Sequence, residues 1–290
     1  MSGQLPVKHI EAETVEQAIE LLTSDDDTRI VANGYSLVPL LKDGIETPDR
    51  LVDISQIDTL RGISTDGATT RIGALTTHNQ IAASSTVQSR ACALATAANS
   101  VGDYMAKQQG TIGGNLVFAS PKYDPPGAVL ALNGEVVVQG PDGQRQIDAD
   151  DWFQGPDETA LGPNELVTEV VLPRTAHSGY IRTSEYSGYA IVSVAATLEL
   201  NDGIINEARV AVNGARPYPI RLSNVEEALR DERVDEDLPA RAAATALQET
   251  DPETLLANEA ASGTHRLQLV RAYCERAINR ASQNQQAATR

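Results

Sequence analysis

The chain has 290 residues, 41% of them hydrophobic, enough for two domains that each bury a core of their own. No run of about 18 apolar residues occurs, which argues against a membrane-spanning helix; the opening MSGQLPVKHI lacks the basic cluster and apolar stretch of a signal peptide, so a cytoplasmic location is expected. Forty acidic against 23 basic residues give a net charge of −17, a surface that repels nucleic acid and anionic lipid and fits an acidic, halophile-like protein.

In chain order, Thr14-Val15-Glu16-Gln17 reads as a capping box opening a helix whose apolar face is Val15, Ala18, Ile19 and Leu22. A short strand over 29–31 runs into the turn Ala32-Asn33-Gly34-Tyr35-Ser36, and a short apolar segment, 37–41, follows. Residues 51–54 are a further strand. From Thr70 the chain reads as a strand, a turn capped by Thr76 or Thr77, and a helix start; 87–101 reads as one Ala-rich helix. Then come a Gly-rich loop around 110–115, a Pro-Pro turn, a short helix, and a hairpin about Pro141-Asp142-Gly143. A strand over 165–172 ends at Pro173, and 173–178 is a plausible domain boundary. Beyond it, Asn201-Asp202-Gly203 joins two strands, 190–200 and 204–212, in a hairpin. Helices are expected at 224–230, 239–248 and 264–281, with a frayed polar tail, SQNQQAATR. Strands followed by helices make this second part an α+β module.

Two cysteines, Cys92 and Cys274, are too few for an iron–sulfur cluster within the chain, which needs about four thiolates. Both fall in Ala-rich helical stretches and read as small hydrophobes. His9, His78, His177 and His265 show no metal-ligand spacing, so no metal site is expected. Two Gly-containing turns, 32–36 and Thr111-Ile112-Gly113-Gly114-Asn115, could let backbone N–H groups cradle an anion such as a pyrophosphate. Ser36, Thr111 and Asn115 could add side-chain hydrogen bonds, and Asn33 tolerates a left-handed backbone. Neither turn matches the dinucleotide or P-loop fingerprints.

At these turns the sequence resembles the FAD-binding, or medium, subunits and domains of molybdenum hydroxylases of the xanthine dehydrogenase, aerobic carbon monoxide dehydrogenase and aldehyde oxidoreductase type. VANGYSLVPLLK at 31–42 is similar to that family's Ala-Gly-Gly-x-Ser-Leu-x-Pro signature, with Asn33 in place of a glycine. IGALTTHNQIAAS at 72–84, GTIGGNLVFASPKYDPPGAVLALNGEVVV at 110–138 and RVAVNGARPYPIR at 209–221 continue the resemblance in order. It implies an α+β fold: a two-subdomain FAD-binding region of the vanillyl-alcohol-oxidase/PCMH-like kind over 1–174, with subdomains of about 1–58 and 59–174, followed by a smaller α+β C-terminal domain over 178–283.

The resemblance also implies roles. Residues Ala32, Asn33, Gly34, Tyr35, Ser36 and Thr111, Ile112, Gly113, Gly114, Asn115 would hold the FAD pyrophosphate and neighbouring groups. Asp124 falls where the family has a flavin-contacting aspartate. Val167 and Arg182 fall where it has an apolar contact and a basic residue near the isoalloxazine. No catalytic acid or base is implied. The departures are Lys107-Gln108-Gln109, where an Arg-Asn-Arg-like run is usual, and Thr183 to Gly188, where an Arg/Asp-rich stretch is usual; the acceptor is therefore open. The implied function is an oxidoreductase subunit. It would pass electrons from the clusters of an iron–sulfur small subunit, fed by a molybdopterin-binding large subunit, through FAD to an external acceptor. A non-enzymatic assembly subunit without FAD, a stand-alone flavin reductase of the enolpyruvyl-sugar reductase type, and a nucleotide-binding module without redox function stay open as alternatives.

Overall fold

The structure is a computed structural model and describes residues 7–24 and 27–283; the first six residues and the last seven, including most of the polar tail, lie outside the described residues. Three larger sheets follow one another along the chain. The first is parallel, with strands β1 (Lys8–Glu11), β2 (Thr28–Val31) and β3 (Arg50–Asp53) in the order β1-β3-β2. The helix α1 (Val15–Leu22) joins β1 to β2, and α2 (Leu37–Lys42) lies between β2 and β3. Thr14 caps α1 by accepting from the Gln17 N–H, but the Gln17 amide reaches the Glu13 N–H at 2.8 Å, so the reciprocal half of the box is displaced by one residue.

The second unit starts with β4 (Ile63–Thr65) and β5 (Thr69–Gly73) and continues through six helices: α3 (His78–Ala83), α4 (Ser85–Arg90), α5 (Cys92–Ser100), α6 (Tyr104–Gln109), α7 (Ile112–Phe118) and α8 (Asp124–Ala131). It returns through β6 (Glu135–Gly140), β7 (Gly143–Asp148), the short helix α9 (Ala149–Trp152), the small pair β8 (Phe153–Gly155) and β9 (Glu158–Thr159), and β10 (Leu166–Pro173). The long strands form an antiparallel sheet in the order β4-β5-β10-β6-β7, and β10 carries a bulge between Val167 and Glu169. Thr77 and Gln80 form a complete capping box that starts α3.

The third unit is the antiparallel sheet β11 (Ser178–Ser184), β12 (Ala190–Asn201), β13 (Ile204–Asn213) and β14 (Ile220–Arg221), followed by α10 (Ser223–Leu229), α11 (Leu238–Ala244) and α12 (Gly263–Gln283). Asp202 and Gly203 both take positive φ, 51° and 78°, which makes the turn between β12 and β13 the kind whose twist matches the strands. The fold is thus α+β, as expected, and the hairpins and long helices fall near their expected positions. Helix α12 is the longest, and no helix among the described residues is long and apolar enough to cross a membrane.

Three local expectations need correction. The Ala-rich stretch is two helices: Ala91, at φ −148° and ψ 55°, breaks it. The Thr175 N–H takes the Arg90 carbonyl and the Ser178 hydroxyl takes the Ala93 N–H, so the segment leading to β11 claims the groups a continuous helix would use. Residues 110–115 are not a free loop, because Gly113 and Gly114 sit in the first turn of α7, capped by Thr111. The two prolines likewise belong to the first turn of α8, where a missing N–H costs nothing. Every residue of α8 is buried, and it wedges the second sheet against the third: Tyr180, Ala195 and Ala211 of the third sheet join the same apolar core as Val129 and Leu130.

Candidate functional site

The first and second units meet over a cavity of about 430 Å³. Its walls are the end of β2 with the turn 32–36, the inner face of α2 through Leu37 and Leu40, the start of α7, and the segment 161–167 before and within β10. The turn is bent by Gly34, whose φ of +73° lies in the left-handed region that favours glycine; a Cβ there would also stand 2.8 Å from Val38 Cγ2. Among the described residues, the N–H groups of Gly34, Tyr35, Ser36 and Leu37 meet no acceptor within the protein. They form a run of donors at the cavity wall.

Three side chains tie this turn to the second unit. Asn33 Nδ2 donates to the Gln109 carbonyl at 2.9 Å, Tyr35 OH to Asp103 Oδ1 at 2.7 Å, and Ser36 Oγ and Tyr123 OH share a hydrogen bond of 2.8 Å. Asn33 does not use the left-handed backbone that it could tolerate; its amide bonds the end of α6 while Gly34 makes the bend. Burial, with the bond to Asp103, pushes the Tyr35 phenol up to about 12.

The second motif works differently from the first. The Ile112, Gly113 and Gly114 N–H groups bond to the Thr76 carbonyl, the Ala74 carbonyl and Thr111 Oγ1, so this turn offers no spare backbone donors at those positions. Its contribution is shape and side chains. A Cβ on Gly113 would strike Ala74, whereas one on Gly114 would meet only Thr111 Oγ1 within 4 Å and otherwise enter open space on the cavity side. Asn115 is only 7% exposed, lines the cavity, and its amide has no hydrogen-bond partner among the described residues.

A smaller cavity of about 120 Å³ adjoins the first, sharing Tyr35, Ser36, Gly110 and Asn115 with it. His78, Tyr123 and Asp124 line its interior, and Asp103, Lys122, Gly188 and Tyr189 line it towards the surface. Asp124 is buried; its Oδ1 accepts from the Tyr180 hydroxyl and its Oδ2 from Arg182 at 2.7 Å. Burial pushes the Asp124 carboxyl up to about 6, and the Arg182 guanidinium and Tyr180 hydroxyl act against that rise. Burial and the neighbouring carboxylate together push the Tyr180 phenol up. Burial alone pulls the His78 imidazole down to about 4.

Of the residues expected at a cofactor site, the structure gathers Ala32, Asn33, Gly34, Tyr35, Ser36, Thr111, Gly113, Gly114, Asn115 and Val167 around the large cavity, and Asp124 beside the small one. Ile112 lines neither: its side chain is buried in the core. Arg182 lines neither as well, because its guanidinium is spent on Asp124 and on the Ser100 and Gly188 carbonyls. Val167 and Asp124 stand in different cavities, so Val167 and the Asp124–Arg182 pair do not converge on one spot. Sequence reasoning missed His78, Gly110, Tyr123 and the segment 161–166. His78 lies within the 72–84 stretch, but nothing in its spacing signals burial beside a cavity. Within the Lys107-Gln108-Gln109 run, Lys107 Nζ bonds to the Asn99 carbonyl and the Gln109 carbonyl accepts from Asn33. Tyr186 is fully exposed, while Tyr189 carries Lys122 Nζ 5.5 Å from its ring centre.

Residues 5–175 match the family described as the FAD binding domain in molybdopterin dehydrogenase, and residues 184–281 match the CO dehydrogenase flavoprotein C-terminal domain. The chain belongs to this molybdopterin dehydrogenase FAD-binding family. It is 31% identical over 235 residues to the glyceraldehyde dehydrogenase medium chain of Sulfolobus acidocaldarius, covering 79% of this chain and 83% of that one. Its structure is similar to one in the carbon monoxide dehydrogenase of Hydrogenophaga pseudoflava, with a TM-score of 0.89 at 29% identity over 96% of this chain and 98% of the other. It is also similar to one in quinoline 2-oxidoreductase of Pseudomonas putida 86, with a TM-score of 0.87 at 27% identity over 96% and 98%. As a member of this family the chain is a medium, FAD-binding subunit of molybdenum-hydroxylase-type oxidoreductases. The residues present fit the cofactor: four unpartnered N–H donors suit a pyrophosphate, a bare Gly114 leaves room, and the unpartnered Asn115 amide awaits a polar group.

Proposed function

We propose that this chain is the electron-transfer subunit of a heteromeric molybdenum hydroxylase. In this reading it takes electrons from the clusters of an iron–sulfur small subunit, which receives them from a molybdopterin-binding large subunit, and passes them through FAD to an external acceptor. The observation that carries the reading is the pair of adjoining cavities with the unpartnered donors of residues 34–37 on the wall of the large one, Tyr35 and Ser36 lining both. A molecule with a central pyrophosphate and a ring system at each end matches that outline.

FAD, when bound, supplies the redox chemistry, accepting electrons singly or in pairs. The chain's own residues bind and orient it. The N–H groups of Gly34, Tyr35, Ser36 and Leu37 would hold the pyrophosphate, and the Asn115 amide, lining both cavities, would reach a neighbouring polar group. The apolar walls of the large cavity, Leu22, Ile30, Leu161, Leu166 and Val167, would enclose the adenosine end and exclude water. The small cavity would take the redox end, since exposed Tyr189 lines it and exposed Tyr104, Met105 and Tyr186 are chain neighbours of its lining residues Asp103, Ala106 and Ser187. An apolar, accessible rim is what an electron partner can approach. Arg182 would act from below, by fixing Asp124, rather than as a direct contact of the ring.

The test is the visible absorbance of the purified chain, in high salt, before and after dithionite. Flavin bands that bleach on reduction, together with co-purification of a molybdopterin-bearing and an iron–sulfur-bearing chain, are the expected result. A colourless chain that takes up no added FAD would point instead to an assembly subunit and overturn the proposal.

A further inference from the structure

His78 is a buried polar residue for which the fold itself provides no partner. It begins α3, its ring is 2% exposed, and it lines the small cavity together with Asn115 and Asp124. Its Nδ1 is buried without a hydrogen bond, and no hydrogen bond to Nε2 is made among the described residues. A neutral imidazole has one N–H donor and one acceptor nitrogen, and native interiors rarely leave such groups unpaired. Three features hold the ring in position. The Thr77–Gln80 capping box fixes the start of its helix. The His78 N–H bonds to the Gly110 carbonyl at 3.1 Å. The imidazole edge rests on the bare Cα of Gly110, where a Cβ would stand 2.9 Å from Nε2. A ring held this firmly, facing a cavity, with unspent hydrogen-bonding capacity, is arranged for a ligand.

We infer that His78 is a direct hydrogen-bonding contact of the flavin end of FAD, meeting a polar edge of the ring system in the small cavity. The inference rests on the FAD-binding reading above and adds to it a residue and the end of the cofactor it serves. The ring stays neutral at ordinary pH, since burial holds its protonation down near 4. It therefore contributes a directional hydrogen bond and not a positive charge.

The experiment compares FAD and ADP binding to the full chain by fluorescence titration, for the wild type and for His78→Leu, His78→Asn and His78→Gln. The leucine variant removes both ring nitrogens at similar volume, and each amide reaches towards only one of them. The expected result is FAD affinity about tenfold weaker for His78→Leu, the size of one net hydrogen bond. ADP affinity should be unchanged, and one of the two amides should recover most of the loss. The visible flavin band should also shift between the wild type and His78→Leu. If the leucine variant fails to fold, the two amide variants carry the test, with unequal FAD affinities and equal ADP affinities expected. Unchanged FAD affinity in every variant, or equal weakening of FAD and ADP, overturns the inference and marks His78 as a packing residue. A wild-type chain that binds ADP but no FAD overturns the flavoprotein reading itself, and the inference with it.

Discussion

Asp124 and Arg182 meet at 2.7 Å across the seam between the start of α8 and the first strand of the C-terminal sheet, with side-chain exposures of 3% and 10%. A carboxylate so placed depends on its partner. Removing one member of a buried pair leaves an uncompensated charge and typically costs about 3–5 kcal/mol. Arg182→Met is therefore expected to destabilise the chain by about that amount, read as a lower urea midpoint. The double variant Asp124→Asn/Arg182→Gln should recover most of the loss. A single variant within about 0.5 kcal/mol of wild type would show that the pair is not what closes the seam.

The two glycines of the second motif make opposite predictions. Gly113→Ala brings a Cβ to 2.8 Å from the Ala74 Cβ and 2.9 Å from its carbonyl oxygen, and is expected to destabilise the fold by about 1–3 kcal/mol. Gly114→Ala meets only Thr111 Oγ1, at 3.0 Å, and then fills cavity space. It should keep its thermal midpoint within a few degrees while FAD affinity falls at least tenfold. Titration with FAD beside thermal denaturation separates the two; the reverse order of effects would refute the assignment.

Asn33 ties the first motif to the end of α6, two residues before the second motif, donating to the Gln109 carbonyl at 2.9 Å. Asn33→Ala should lower stability by about 0.5–1.5 kcal/mol, the ordinary net worth of such a bond, and should speed FAD release by loosening one motif from the other. Stopped-flow displacement by excess ADP measures the release; an unchanged rate would count against a coupled pair of motifs.

His78 and Asp124 pull stability in opposite directions as pH changes. Asp124 titrates at about 6 in the folded chain against an ordinary 3.8, so the folded state binds the extra proton between those values. Its contribution thus falls as pH rises from about 4 to 6. His78 titrates at about 4 against an ordinary 6.5, so the unfolded state binds the extra proton, and its contribution rises with pH over nearly the same window. In the wild type the two slopes largely offset each other. Relative to wild type, Asp124→Asn should show stability rising more steeply from pH 4 to 6, and His78→Gln should show it falling. Urea midpoints at half-unit pH steps test this, and parallel curves for all three proteins would defeat it.

Much of the architecture could be read from local signals. The Asn201-Asp202-Gly203 turn between two apolar runs, the Thr77 cap and the bend at Gly34 are set by residues a few positions apart, where backbone preference decides the outcome. What escaped reading depends on distant partners. The break at Ala91 exists because Thr175 and Ser178 pass beside it. Gly113 and Gly114 are poor helix formers, yet they are helical because carbonyls of Thr76 and Ala74 take up the N–H groups at the start of α7. The cofactor motifs themselves were visible, but not that one presents donors while the other consumes its own. Arg182 is expected near the flavin ring, and the side chain it pairs with, Asp124, lies 58 positions earlier. No periodicity in the sequence links them.

Because β11 furnishes both Tyr180 and Arg182 to Asp124, and Asn213 of β13 bonds to the Tyr123 carbonyl, the lower wall of the small cavity is shared between the start of α8 and the C-terminal sheet. A truncated chain ending near residue 175 would expose that wall and strand its carboxylate. The same joint works as a thermodynamic lever: any protein gripping the C-terminal sheet and shifting it against α8 must alter how tightly the small cavity holds its ligand. By reciprocity, filling the cavity must alter the grip by the same factor.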